Sequence, residues 1–317
     1  MRERSEADGI NTAEAPLISV VIPTINRGEA ILPTVDSVLN ADYPSLDLTI
    51  VDQSRNDATE LALKPYASRI RYIRSAIRGA AAGRNTGARS AKGTVLAFTD
   101  DDCTVPSRWL REIVAVFRAD DRIGMLFGNV LAAPHSRKRG FIQAYVRDDA
   151  FIARGIRDKH RVEGIGGCMA VRTRVWNELG GFDAQLGAGA RFRSAEETDL
   201  AVRALLAGHW VCENPRVSVV HHGFRSWEQR PKIVQDYLYG LGAMTAKHLR
   251  RHRWWMLKLA GHLAWRWAFG EPVVDLGGRP SRRLRLRAFT EGLAAGMSNP
   301  VDFDSGLFIA EPRPDKS

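Results

Sequence analysis

An α/β fold is what the sequence predicts: a Rossmann-like, mostly parallel sheet flanked by helices, followed by a helical, basic C-terminal extension. Short β-branched runs alternate with helical patterns, polar residues collect where the strands end, and most of the excess positive charge falls after residue 229. With 317 residues, 44% of them hydrophobic and 26% charged, the chain has material for one large or two small domains and is not disordered as a whole.

Residues 1–16 are polar, alternate in charge and lack an apolar stretch, so they are expected as a flexible tail and not as a secretory leader. The run at 17–22, ended by Pro23, reads as the first strand; Ile31, Val35, Val38 and Leu39 mark a helix face, and the apolar run 46–51 completes a β-α-β unit. Strands are expected at 70–73 and 94–98, with the Ala-rich segment 80–91 as the helix between them. A helix at 107–117 and a strand at 123–131 follow, and the basic turn 134–140 breaks the pattern. Residues 164–167 open another apolar piece, and a helix at 174–179 is closed by Gly180 and Gly181. Ser194 and Glu197 have capping-box spacing at the start of the next helix, and Asp199 with Arg203 forms an i,i+4 pair. A strand at 217–220 leads to His221 and His222. The organisation expected is a body over 17–229 and a helical basic region over 230–317.

A formal charge of +10 admits nucleic acid, an anionic membrane or phosphorylated ligands as partners. Residues 230–291 hold thirteen Lys/Arg against four Asp/Glu, which supplies most of that surplus. Cys103, Cys168 and Cys212 are too scattered for a zinc knuckle or a disulfide framework, and they suit a reducing cytoplasm. The segment 250–269 is interrupted by Lys258 and Arg266, so it is not expected to span a bilayer. As a helix it places Met256, Leu259, Ala260, Leu263 and Trp267 on one face and Arg251, Lys258, His262 and Arg266 on another. That pattern suits either the headgroup boundary of an anionic membrane, with Arg282, Arg283, Arg285 and Arg287 adding charge, or packing on the protein's own core.

Ligands in open α/β sheets bind beyond the C-terminal ends of the strands. Those ends carry Pro23-Thr24-Ile25-Asn26-Arg27, Asp52-Gln53-Ser54 and Asp100-Asp101-Asp102. Three consecutive carboxylates repel one another, and either solvent or a hard divalent cation relieves them. The segment GAAAGRNTGAR at 79–89 precedes that strand, and its arginines with a metal would suit a diphosphate. Glu196 and Glu197 open a helix, where a carboxylate is aimed rigidly enough to act as a general base. Either His221 or His222 could share a metal with Asp102.

Taken in order, SVVIPTINR, TIVDQSRND, AAGRNTGARSAKGTVLAFTDDDC, GGCMAVRTRVWNELGGFD, EETDL and HH make residues 17–223 resemble family 2 glycosyltransferases of the GT-A fold, inverting enzymes that use nucleotide sugars. The resemblance implies that Pro23, Thr24 and Asn26 border the nucleotide and that Asp52 accepts from its base. It places Arg84 and Asn85 beside the donor pocket, along with Asp100 and Asp101, and sets Asp100 and Asp102 as a D-x-D pair whose acids, above all the later one, meet Mn2+ or Mg2+ on the diphosphate. Glu197 stands where the family has the Asp of its general base, with Glu196 as the alternative, and Asp183 falls in the acceptor-side segment. The implied donor is a UDP-, dTDP- or GDP-sugar, and the acceptor is a glycan, a lipid-linked molecule or a small molecule of cell-envelope synthesis. No Q-x-x-R-W motif is present, so non-processive transfer is expected, in the cytoplasm or peripherally on the inner membrane face. The competing readings are a basic nucleic-acid-binding protein, which leaves the strand-end carboxylates unexplained, and a catalytically silent nucleotide-sugar binder.

Overall fold

The computed structural model describes residues 15–251, 256–259, 261–262 and 281–310. Its strands are β1 (Ile18–Thr24), β2 (Leu46–Asp52), β3 (Arg71–Arg74), β4 (Val95–Phe98), β5 (Cys103–Thr104), β6 (Ile123–Ala132), β7 (Gly140–Ile142), β8 (Phe151–Ala153), β9 (Met169–Arg172), β10 (Trp210–His221) and β11 (Phe224–Ser226). The helices are α1 (Leu32–Leu39), α2 (Ala58–Leu63), α3 (Ala80–Ser90), α4 (Trp109–Ala119), α5 (Thr173–Glu178), α6 (Glu196–Leu206), α7 (Arg230–Arg250) and α8 (Arg282–Ser298).

Nine strands form one sheet in the order β3-β2-β1-β4-β9-β6-β10-β5, with β8 added against β10, and β11 and β7 make a separate two-stranded ribbon. β1 is buried at every position, as a central strand covered on both faces must be. It pairs parallel to β2 and β4, while β9 runs antiparallel to both β4 and β6, and β6 is parallel to β10. The C-terminal ends of β1, β2, β4 and β10 therefore share one edge of the sheet, which brings Thr24, Asp52, the acidic triplet and His221 to the same side.

One face packs Ile18, Val20 and Ile22 against α1 and α4, and the other packs Val21, Val51 and Phe98 against α3 and α6. A third core joins Phe141, Leu186, Phe192 and Val202 of the body to Val234, Leu238 and Met244 of α7 and to Ala288 of α8. Among the described residues after 229, α7 and α8 are helical and share this core with the body. α7 and α8 approach so closely that a Cβ on Gly292 would overlap the backbone carbonyl of Tyr239.

Several local expectations are corrected. β10 begins at Trp210, well before the apolar run, where it pairs with β6 and β8, and its register shifts between Glu213 and Ser218, where Pro215 has no N–H to pair. Ser194 does not cap α6: its hydroxyl donates to the carbonyls of Tyr237 (2.8 Å) and Asp236 (3.2 Å), and the helix starts from Ala195 at φ +74°. Of the proposed membrane-facing stretch, 252–255, 260 and 263–269 lie outside the described residues. Met256 and Leu259, from its apolar face, are buried in the third core. In the later arginine cluster Arg285 is buried, and Arg287 pairs with Glu291 at 2.7 Å.

Candidate active site

A cavity of about 660 Å³ opens at the shared strand edge, between the β1 and β4 ends on one side and α6 with α7 on the other. Of the residues expected there, Pro23, Thr24, Arg84, Asp100, Asp101, Asp102, Glu196, Glu197 and His221 line it.

Arg84 is the hinge of the charge arrangement. It is 3% exposed, projects from α3, and its guanidinium donates to Asp100 Oδ1 at 2.7 Å and to Glu196 Oε1 at 2.9 Å. One buried arginine thereby ties the strand-end acids to the acids of α6. Burial opposes its charge, but Asp100 and Glu196 outweigh that and raise its pKa. Asp101 accepts from the Thr24 hydroxyl at 2.7 Å and from Arg27 Nε at 2.9 Å. Burial nevertheless keeps the Asp101 pKa above its usual value. Asp102 meets Arg27 at 2.5 Å and His221 Nε2 at 3.4 Å. Burial opposes the Asp102 charge too, yet His221 and Arg27 win and lower its pKa to about 2. His221 moves the opposite way: burial disfavours its cation, and Asp102 more than compensates.

Glu197 is half-buried in the cavity wall, with one carboxylate oxygen buried and without a hydrogen-bond partner. Burial first, and the neighbouring Glu196 second, push its pKa well above the ordinary carboxylate value. A carboxylate made basic in this way, with one oxygen left without a partner, is chemically suited to take a proton from a bound hydroxyl.

Asp102, Cys103 and His221 present possible ligand atoms within 4.8 Å of one another. The Cys103 thiol is fully buried and its pKa is raised well above normal by that burial, so it stays protonated and ill-suited to a hard cation. The other two fit. His221 Nδ1 lies 2.8 Å from the Gln143 carbonyl, a contact that makes Nδ1 the donor and turns Nε2 toward Asp102. A Cβ on Gly223 would stand 2.6 Å from Asp102 Oδ2 and closer still to His221 Nε2, so glycine leaves open the space between the two groups.

Five of the expected residues do not reach the cavity. His222 points to Thr104 Oγ1 at 3.0 Å, which leaves His221 as the partner of Asp102. Asp52 is 0% exposed, and its carboxylate is taken up by the Tyr72 hydroxyl (2.8 Å), the Ser54 amide (2.9 Å) and the Ser54 hydroxyl. Gln53, one residue on, lines the cavity in its place. Asn26 is exposed at φ +55°, and its amide donates to Ser54 Oγ. Asn85 clamps Phe182 through both the amide (2.9 Å) and the carbonyl (2.8 Å) of that residue, a positioning task. Asp183 is 1% exposed and bonds to Lys247 at 2.6 Å and to the Phe308 amide at 2.9 Å.

Sequence reasoning missed Arg27 as the counter-charge of the triplet, and it missed Lys247. Arg27 sat in view within the first strand-end cluster, whereas Lys247 had no signal, being one cation in a basic helix.

The Glycosyl transferase family 2 model matches residues 19–180. The chain is 25% identical over 235 residues to the probable glycosyltransferase YdaM of Bacillus subtilis, covering 70% of this chain and 53% of that protein, so it spans about half of that relative's length. It is 26% identical over 245 residues to a glucosyl-dolichyl phosphate glucuronosyltransferase of Haloferax volcanii, covering 70% of this chain and 78% of that one. Its fold is similar to that of a mannosyltransferase from Pyrobaculum calidifontis, solved in complex with GDP-Man and Mn2+, with a TM-score of 0.59 and 18% identity over 90% of this chain and 88% of the other. An acidic strand edge, a buried arginine and a basic carboxylate around one cavity are thus carried on the GT-A fold, and the chain belongs to glycosyl transferase family 2.

Proposed function

We propose that the protein transfers a sugar, with inversion and without processive extension, from a nucleotide-sugar donor to a hydroxyl of a lipid-linked or glycan acceptor. The observation that carries this reading is the single cavity in which Asp102 and His221 face Glu196 and Glu197, with Arg84 bridging the two acidic groups. The donor would be a UDP-, dTDP- or GDP-sugar, and the likeness to a structure described with GDP-Man and Mn2+ supports a metal-assisted reaction. Similarity to a dolichyl-phosphate-directed transferase supports a lipid-linked acceptor, and with it a site of action in the cytoplasm at the inner membrane face. No helix among the described residues is long and apolar enough to cross a membrane.

In this mechanism Glu197 accepts the proton of the acceptor hydroxyl as that oxygen forms its bond to the anomeric carbon. The bond from the anomeric carbon to the diphosphate breaks on the opposite face, and its electron pair leaves with the nucleoside diphosphate. Arg84 contributes positive charge beside the departing group, and Asp102 with His221 would hold Mn2+ or Mg2+. A divalent cation bound there supplies electrostatic stabilisation to the growing negative charge. A single base and a single displacement give inversion.

Three measurements test this reading. UDP or GDP with Mn2+ is expected to raise the melting temperature of the wild type, and EDTA to cancel the gain. Asp102→Ala should fold, lose the Mn2+-dependent stabilisation and lose transfer; full activity of this variant, or full activity in EDTA, would sink the metal assignment. Gly223→Ala should lower Mn2+ affinity at least about tenfold by filling the space between Asp102 and His221, a loss that Mn2+ titration by electron paramagnetic resonance reads directly.

A further inference from the structure

The β7–β11 ribbon stands apart from the main sheet, Phe224 opposite Ile142 and Ser226 opposite Gly140. The basic turn that broke the sequence pattern leads into it, with Arg137, Lys138 and Arg139 exposed in a row. Trp227 fastens turn and ribbon together: its ring stacks on Phe141 at 5.4 Å, and its Nε1 donates to the Arg137 carbonyl at 3.1 Å. Outside this frame two apolar side chains remain uncovered, Phe224 at 40% exposure and Leu131 at 37%. Residues 134–140 and 224–236 together carry six Lys/Arg against two acids, Glu228 and Asp236, and Asp236 is already paired with Lys232 and Arg193. The patch is continuous with the cavity, because Arg225 of β11 and Gln143, just after β7, line its mouth.

We propose that this ribbon and its basic turn are a docking face for an anionic lipid surface, which sets the cavity mouth against the membrane. The inference rests on the reading of the acceptor as lipid-linked. Clustered cations draw the face to anionic headgroups, and Phe224 and Leu131 enter the boundary between headgroups and acyl chains. The segment around 282–287 is a weaker contender, since one of its arginines is buried and another is paired within its own helix.

The test is flotation of the full chain with vesicles of phosphatidylcholine alone or mixed with phosphatidylglycerol, at low salt. Wild type is expected to float with the mixed vesicles and to stay behind with the neutral ones. The triple variant Arg137→Gln/Lys138→Gln/Arg139→Gln and the single variant Phe224→Ser should each lose at least about tenfold in partitioning, while Arg282→Gln/Arg283→Gln keeps it. Acceptor-independent hydrolysis of the nucleotide sugar, measured alongside, should be unchanged in all three variants, which shows that fold and donor site are intact. Wild type that ignores anionic vesicles, a triple variant that floats normally, or loss of binding in the 282/283 variant overturns the proposal. Absence of hydrolysis in the wild type strikes the transferase reading instead, and flotation still reports on the surface.

Discussion

Replacing Glu197 with Gln is expected to lower sugar transfer by about 10²–10⁴ while leaving nucleotide-sugar binding nearly unchanged. The amide keeps the size of the side chain, but it cannot accept the proton of the acceptor hydroxyl. Its environment makes a second expectation possible. Glu197 holds its proton to a pH well above the ordinary carboxylate range, first because of burial and then because of Glu196. Only the deprotonated form is a base, so transfer by the wild type should rise with pH through that elevated pKa. Glu196→Gln removes the neighbouring charge, which should shift the rising limb to lower pH. Steady-state rates across pH for the wild type and both variants check the assignment. If Glu196→Gln is inactive and Glu197→Gln normal, the base is Glu196 and the roles of the two acids exchange.

Lys247→Met should cost about 3–5 kcal/mol of stability, the range for breaking a buried ion pair by removing one partner. Lys247 is fully buried and lies 2.6 Å from Asp183 and 2.8 Å from Asp199. Asp199 in turn meets Arg203 at 2.8 Å and His248 at 2.9 Å, also buried. Burial lowers the His248 pKa and favours its neutral ring, so two acids face two fixed cations. Without Lys247 one carboxylate is left buried and uncompensated. Asp183→Asn added to Lys247→Met should recover part of the loss, as urea denaturation of the wild type and both variants would reveal. A Lys247→Met protein as stable as the wild type would mean that the network contributes nothing to stability.

The same network sets a pH dependence. Burial alone would raise the Asp199 pKa, but Lys247, Arg203 and His248 outweigh it and lower that pKa well below normal. Its contribution to stability is therefore present above the ordinary carboxylate pKa and is lost as pH falls through the depressed folded value. In Lys247→Met that acid-side loss should begin at higher pH.

Much of this architecture is legible in the sequence because strands covered on both faces read as continuous apolar runs, and those runs end in polar clusters that the parallel topology collects at one edge. The D-D-D cluster was visible for that reason, and the E-E pair because it opens a helical pattern. Short elements were not: α2 has six residues, β7, β8 and β11 three each, too few to show a period. Capping by Ser194 failed because a tertiary contact to α7 claimed its hydroxyl, and Asp52 turned inward because Tyr72 and Ser54 satisfy it there. Choosing His221 over His222 required the direction of each ring, which a pair of adjacent letters does not contain. Asp183 and Lys247 are 64 residues apart, and no local pattern joins them.

The hold on Asp183 also bears on the order in which the polypeptide assembles. Its carboxylate is closed by Lys247 and by the amide of Phe308, and Phe308 packs its ring 4.5 Å from that of Phe192, just ahead of α6. The sheet and its first helices can form as they leave the ribosome. The segment that delivers Glu196 and Glu197 has to wait for Lys247 and then for Phe308, the latter more than a hundred residues further on. Until α7 and the Phe308 segment have emerged, Leu186 and Phe192 lack the apolar cover that they find in the folded protein.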